Sequence, residues 1–289
     1  MRILSSLFRA LYYGHLVLAL GLLSITYLTY AELSKPSDWT YLAFVFCGVL
    51  LVYNVHAWVQ FKTASPESIA TKPSFQWQKE NQWLSLGIAL FGLIGIGFYA
   101  MRLSETQMKG MAVLVAPVLL YVLPVNGIGK WLSPRIVPFF KPLLLAFCCM
   151  WVTAIIPMAE VQFTGTELFW WTFSATKYAV ARYVFFLLPA IISDLPDKEL
   201  DASYGIKTFA NSFSLLAFRY VGTGLAVLHI ALMYGFMFQS SIILNWFVAD
   251  LLLLGMLIDA RIHVKDAYYS FGIDLALLIP FLSWYFLGL

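Results

Sequence analysis

Three carboxylates, Asp194, Asp197 and Asp201, stand within eight residues of one another in Ser193–Ala210, SDLPDKELDASYGIKTFA, between two long apolar runs. Counted from Asp194 their offsets are three and seven, which on a helix puts all three within roughly 60° of one face. Carboxylates facing one way repel unless a cation sits among them, and hard oxygen ligands with room for water suit Mg²⁺. Pro196 fits the first turn of a new helix starting near Ser193 better than the middle of a continuous one. The competing reading is a solvated acidic loop.

Asp197-xxx-Asp201-xxx-Gly205-Ile206-Lys207-Thr208, preceded by Asp194 and by a run ending Pro189-Ala190-Ile191-Ile192, resembles the second aspartate-rich motif of the UbiA superfamily of intramembrane prenyltransferases. That resemblance implies nine membrane helices around a central cavity and two acidic motifs that hold a prenyl diphosphate through Mg²⁺. Asp194, Asp197 and Asp201 would then bind the metal and Lys207 the diphosphate. The family's first motif resembles Asn-xxx-Asp-xxx-Asp. Here Asn54 is followed at the same spacing by Trp58 and Lys62, so both carboxylates are gone and a cation has replaced one.

Asn54, Trp58 and Lys62 share one helical face at i, i+4 and i+8. On that face Asn54 and Lys62 would meet the diphosphate and Trp58 the cavity. His56 and Gln60 lie round the turn from them. The plainer alternative makes Asn54 a helix contact, Trp58 an interfacial anchor and Lys62 a positive loop residue. Lys72-Pro73 is similar to the basic-Pro pair that follows the first motif in the family. Tyr121, with Lys130 and Arg135 beyond it, corresponds to a loop that supplies a tyrosine and basic residues there, at a different spacing; lipid head groups would attract the same cations. Arg182 and Arg219 fall inside apolar runs, where a charge faces either a polar cavity or an interhelical partner.

These residues must be positioned by membrane helices. Of the 289 residues 61% are hydrophobic and 11% charged, with a mean hydropathy of +0.81, well outside the range of soluble domains. Apolar runs near 10–30, 39–61, 83–101, 110–125, 139–158, 167–192, 210–238, 241–258 and 267–288 predict an all-α, polytopic fold of nine spans in one transmembrane domain, 1–289. The first run is long for a signal peptide and lacks a small-residue cleavage site, so it reads as a span. With the amino terminus inside, twelve lysines and arginines fall in cytoplasmic segments and three in the opposite ones. This bias places the aspartate-rich loop in the cytoplasm, as in a bacterial inner membrane. Cys47, Cys148 and Cys149 lie in apolar runs without metal-ligand spacing.

The expected partners are a prenyl diphosphate and a lipophilic acceptor within a lipid bilayer, with Mg²⁺ as cofactor. The net charge of +3 is explained by topology and indicates no nucleic acid; oligomeric state is not encoded legibly. Three functions fit: a divergent prenyltransferase, a UbiA-like protein that binds an isoprenoid or a partner without turnover, and a transporter.

Overall fold

A computed structural model describes residues 2–122, 137–162, 173–203, 205–234, 240–259 and 266–287. The described elements are helical: α1 (Arg2–Tyr13), α2 (Leu16–Glu32), α3 (Trp39–Thr63), α4 (Pro66–Thr71), α5 (Pro73–Glu80), α6 (Gln82–Ala100), α7 (Glu105–Val122), α8 (Phe140–Met150), α9 (Ile156–Gln162), α10 (Phe173–Ile192), α11 (Lys198–Ser203), α12 (Phe209–Ser212), α13 (Leu215–Tyr234), α14 (Ser240–Ile258) and α15 (Asp266–Leu287). Among the described residues six helices are long and apolar enough to cross a membrane: 39–63, 82–100, 140–160, 175–192, 215–234 and 268–286. The other three expected runs fall short of that measure. α2 has 17 residues, because the chain turns at Gly14 and at His15, which takes a left-handed φ of 58°, instead of continuing α1. The run at 241–258 yields a shorter apolar helix, and α7 begins polar at Glu105 and carries Pro117.

Local chemistry explains the principal boundaries. Asp38 caps α3, its Oδ1 accepting from the backbone N–H of Thr40 at 2.8 Å and of Tyr41 at 3.2 Å, which satisfies donors that the first helical turn leaves open. Ser65 and Pro66 start α4 in the same manner. α6 lies close on α3 because Gly92 has no side chain: a Cβ there would come within 2.7 Å of the Cys47 carbonyl oxygen. A π-helical turn over Trp151–Ile155 joins α8 to α9, and the Tyr41 hydroxyl donates to the carbonyl of Val152 within it at 2.7 Å.

Packing partners run α2–α3–α7–α8–α10–α13–α14–α15 and back to α2, closing a ring, with α6 applied to the outside of α3. The core of this ring is large and apolar, including Phe185, Phe218, Trp246, Tyr269 and Leu253. α6 presents Leu90, Phe91, Leu93 and Ile94 outward, as a lipid-facing helix must.

Candidate functional site

After α10 ends at Ile192 the chain makes tight turns through Ser193–Asp197 and starts a new helix at Lys198, later than the expected start near Ser193. The carboxylates therefore do not share one helix face. They converge instead on an ammonium from α8. Lys141 Nζ lies 3.0 Å from Asp194 Oδ1, 3.1 Å from Asp201 Oδ2 and 3.7 Å from Asp197 Oδ2. Lys72, at the junction of α4 and α5, pairs with Asp197 from the other side and packs 5.2 Å over the ring of Phe75. Gly205, at φ 73°, turns the chain after α11, and the backbone N–H of Phe139 ties the following strand-like stretch back through the Lys207 carbonyl at 2.9 Å.

The loop carboxyls have unequal acidities. Burial pushes Asp194 up to about 6 against the opposing pull of Lys141. Burial would raise Asp197 too, but Lys72 and Lys141 outweigh it and hold that carboxyl at about 2. Asp201 is raised by burial, with Lys141 opposing. Asp194 is fully buried and, among the described residues, neither of its carboxylate oxygens accepts a hydrogen bond, although Lys141 is ion-paired with Oδ1. Among the described residues no three His, Cys, Asp or Glu side chains stand close enough together, as they are, to share a metal ion.

Lys72, Lys141 and Asp197 form one wall of a cavity of about 240 Å³ inside the ring. α3 contributes Tyr53, His56, Ala57 and Gln60 to it, and α5 closes it with Phe75 and Trp77. His15 and Asp274 also line it; Asp274 makes no hydrogen bond or ion pair among the described residues. A second cavity of about 270 Å³, walled by Phe44, Val49, Val52, Met111, Leu114 and Val118, adjoins the first. Leu22, Tyr53, Tyr121, Leu145 and Cys149 border both. Tyr121 stacks on His56 with ring centroids 4.6 Å apart.

Of the residues singled out in the sequence, Asp194, Asp197, Asp201, Lys72 and Tyr121 come together here. Asn54, Trp58 and Lys62 do not. Asn54 donates through Nδ2 to the carbonyls of Gly14 at 3.0 Å and Leu50 at 2.8 Å and accepts from Ser85, so it joins helices and lines neither cavity. The stripe that does face inward, 53, 56, 57 and 60, is the other side of the same helix. Lys62 is exposed, 5.8 Å from the Trp58 ring centroid. Lys62→Ala is consequently expected to change diphosphate affinity by less than about 0.5 kcal/mol, a measurement that calorimetry resolves; a tenfold loss would return this face to the site.

Lys207 is exposed and Arg219 half-buried, and neither lines either of these two cavities. Lys130 and Arg135 lie outside the described residues. Arg182 belongs to a separate centre: it is fully buried, pairs with Glu32, and stacks 3.6 Å over Trp246, whose Nε1 donates to the same carboxylate at 2.8 Å. Lys141 is the site residue that sequence reasoning did not single out. Its signal was the i, i+4, i+8 series Lys141, Leu145, Cys149, one stripe of a helix aimed at the cavity. Compared with protein-family models, curated proteins and solved structures, the chain matches none.

Proposed function

We propose that this chain is a UbiA-like, nine-span membrane protein that holds a prenyl diphosphate with its head at the lysine–aspartate cluster and its tail in the apolar chamber, and transfers the prenyl group to a lipophilic acceptor. The supporting observation is the adjacency of the two cavities, which share five lining residues, one walled by Lys72, Lys141 and Asp197 and the next by aliphatic side chains. Such a shape and polarity suit an amphiphile with an anionic head.

The aspartates suit Mg²⁺ by donor type, and they would have to close in around it from their present spacing. All are hard oxygen ligands, one buried oxygen of Asp194 is unsatisfied, and the Lys141 ammonium already stands among the three as a cation would. Asp194, Asp197 and Asp201 would hold the metal, which when bound neutralises charge on the leaving diphosphate. Lys72 and Lys141 donate to phosphate oxygens, whose charge grows as the allylic C–O bond breaks. The apolar walls keep water from the carbocation until the acceptor attacks. Asp274, which also lines the cavity, would take the acceptor's proton.

The second reading, binding without turnover, is favoured by one observation: α3 turns Asn54, Trp58 and Lys62 away, so carboxylates of the aspartate-rich type line one wall only. Transport is the third reading: of the charges within apolar runs that motivate it, Arg182 and Asp250 are paired with Glu32 and His229, whereas Asp274 lines the cavity. Incubating the purified protein with radiolabelled prenyl diphosphates and a membrane extract, with and without Mg²⁺, separates the first two: a labelled lipid product means transfer, and retained diphosphate without product means binding.

Two further outcomes are expected. With the amino terminus and the aspartate-rich loop cytoplasmic, a cysteine at Ser68 in a cysteine-free background is protected from an impermeant thiol reagent in intact cells and one at Ser104 is labelled; the reverse pattern inverts the topology. The raised Asp194 carboxyl gives a pH dependence of definite sign. A protonated Asp194 cannot ligate, so below about pH 6 cation binding must displace its proton, and Mn²⁺ affinity falls by up to about tenfold per pH unit. Above pH 7 it is flat. Asp197, held at about 2, contributes no slope in that window. Asp194→Asn flattens the profile; a slope that survives it belongs to another group.

A further inference from the structure

Lys141 approaches the aspartates from α8, far in sequence from the loop that carries them, and its Nζ contacts all three carboxylates. It is one of only two ammonium groups paired with them among the described residues, the other being Lys72 on Asp197. Three carboxylates against two ammoniums leave the cluster one negative charge in excess when all are ionised. The shortfall has a visible location: Asp194 is fully buried, and among the described residues its oxygens accept no hydrogen bond although the ammonium sits beside Oδ1. An ammonium is a point charge of a single unit on a flexible stem, able to reorient where a rigid guanidinium would be fixed. Lys141 also forms part of the cavity wall, so two anionic destinations lie within reach of one side chain.

We propose that Lys141 is an exchangeable internal cation: it holds the three aspartates together when no divalent ion is bound, and turns to the phosphate oxygens of a diphosphate in the adjoining cavity when a divalent ion takes the carboxylates. This rests on the diphosphate reading above and adds to it a residue whose removal acts on metal and ligand in opposite directions. Without the ammonium the divalent ion loses its competitor and binds more tightly, whereas the diphosphate loses a partner and binds less tightly. A lysine that only fastened the loop would not produce that pair of signs.

The test uses the full chain in detergent and two probes. Free Mn²⁺ is counted by electron paramagnetic resonance without diphosphate, and inorganic diphosphate is titrated calorimetrically at saturating Mg²⁺. Lys141→Met is expected to bind Mn²⁺ about tenfold more tightly than the wild type and diphosphate about tenfold less tightly, the scale of one charge-assisted hydrogen bond. Lys141→Arg, which keeps the charge, stays near the wild-type Mn²⁺ affinity. If Lys141→Met unfolds readily in chelator because three carboxylates are left facing one another, Mg²⁺ restores its thermal midpoint, and that rescue also supports exchange. Unchanged or weaker Mn²⁺ binding by Lys141→Met, or loss of its stability without rescue, overturns it. Should the wild type bind diphosphate while the exchange fails, the diphosphate reading stands alone; if neither protein binds diphosphate at saturating Mg²⁺, both fall.

Discussion

Arg182→Met is expected to destabilise the folded bundle by about 3–5 kcal/mol, the scale of stranding one member of a buried ion pair. Both side chains are sealed from solvent, at 0% and 1% exposure. Glu32 would keep the Tyr178 hydroxyl and the Trp246 indole N–H as donors, which solvate its charge without neutralising it. The variant would also lose the guanidinium that packs on Trp246. Adding Glu32→Gln should recover much of the loss, because the pair is then absent instead of broken, and the difference measures the coupling. Thermal unfolding in detergent of the two single variants and the double variant reads this directly. A loss below about 1 kcal/mol for Arg182→Met would mean that the centre is hydrated and the pair screened.

Asp197→Asn with Asp201→Asn should abolish the Mg²⁺-dependent thermal stabilisation produced by a prenyl diphosphate. In the wild type a ligand at about 100 times its dissociation constant, bound only to the folded state, adds about 2.7 kcal/mol. The comparison must be between ligand-induced shifts and not between absolute midpoints. Removing two carboxylates takes Asp197 from Lys72 and leaves Lys141 with only Asp194 of its three, so the ligand-free baseline itself drops. A shift that persists at full size in the double variant would mean that the loop is a salt-bridged fastening, and the head group would have to be sought elsewhere in the cavity.

The aspartate-rich loop was legible because its residue types are improbable in an apolar chain and their spacing is short. Convergence was right even though its stated cause was not: turns at Ser193–Asp197 replaced the helix whose face was to carry all three carboxylates. The orientation of α3 was not legible. A membrane helix is apolar nearly all round, so no amphipathic stripe announces its inner side. Asn54 read as a ligand because of its motif position, whereas its amide satisfies the Gly14 carbonyl where α1 gives way to α2. Partners far apart in sequence were equally hidden. Nothing near Arg182 names Glu32, 150 residues away, or tells that Asp250 will find His229 while Asp274 faces a cavity. Span lengths failed where a local backbone choice intervened, as at His15.

The π-helical turn at Trp151–Ile155 fixes a phase relation between the two polar ends of the bundle. Upstream, α8 aims Lys141 at the aspartates; downstream, α9 aims Glu160 at the Tyr30 hydroxyl, 2.7 Å away, and at Gln107, 2.8 Å away. A π turn holds one residue more than an α turn would. Deleting a single residue there lets the turn close as α with both flanks still in phase. Inserting or deleting a residue elsewhere in α8 instead rotates one end against the other by about 100°, so only one of the two contacts can stay in register. The segment thus tolerates a one-residue loss at this turn far better than a change of length in α8 beside it.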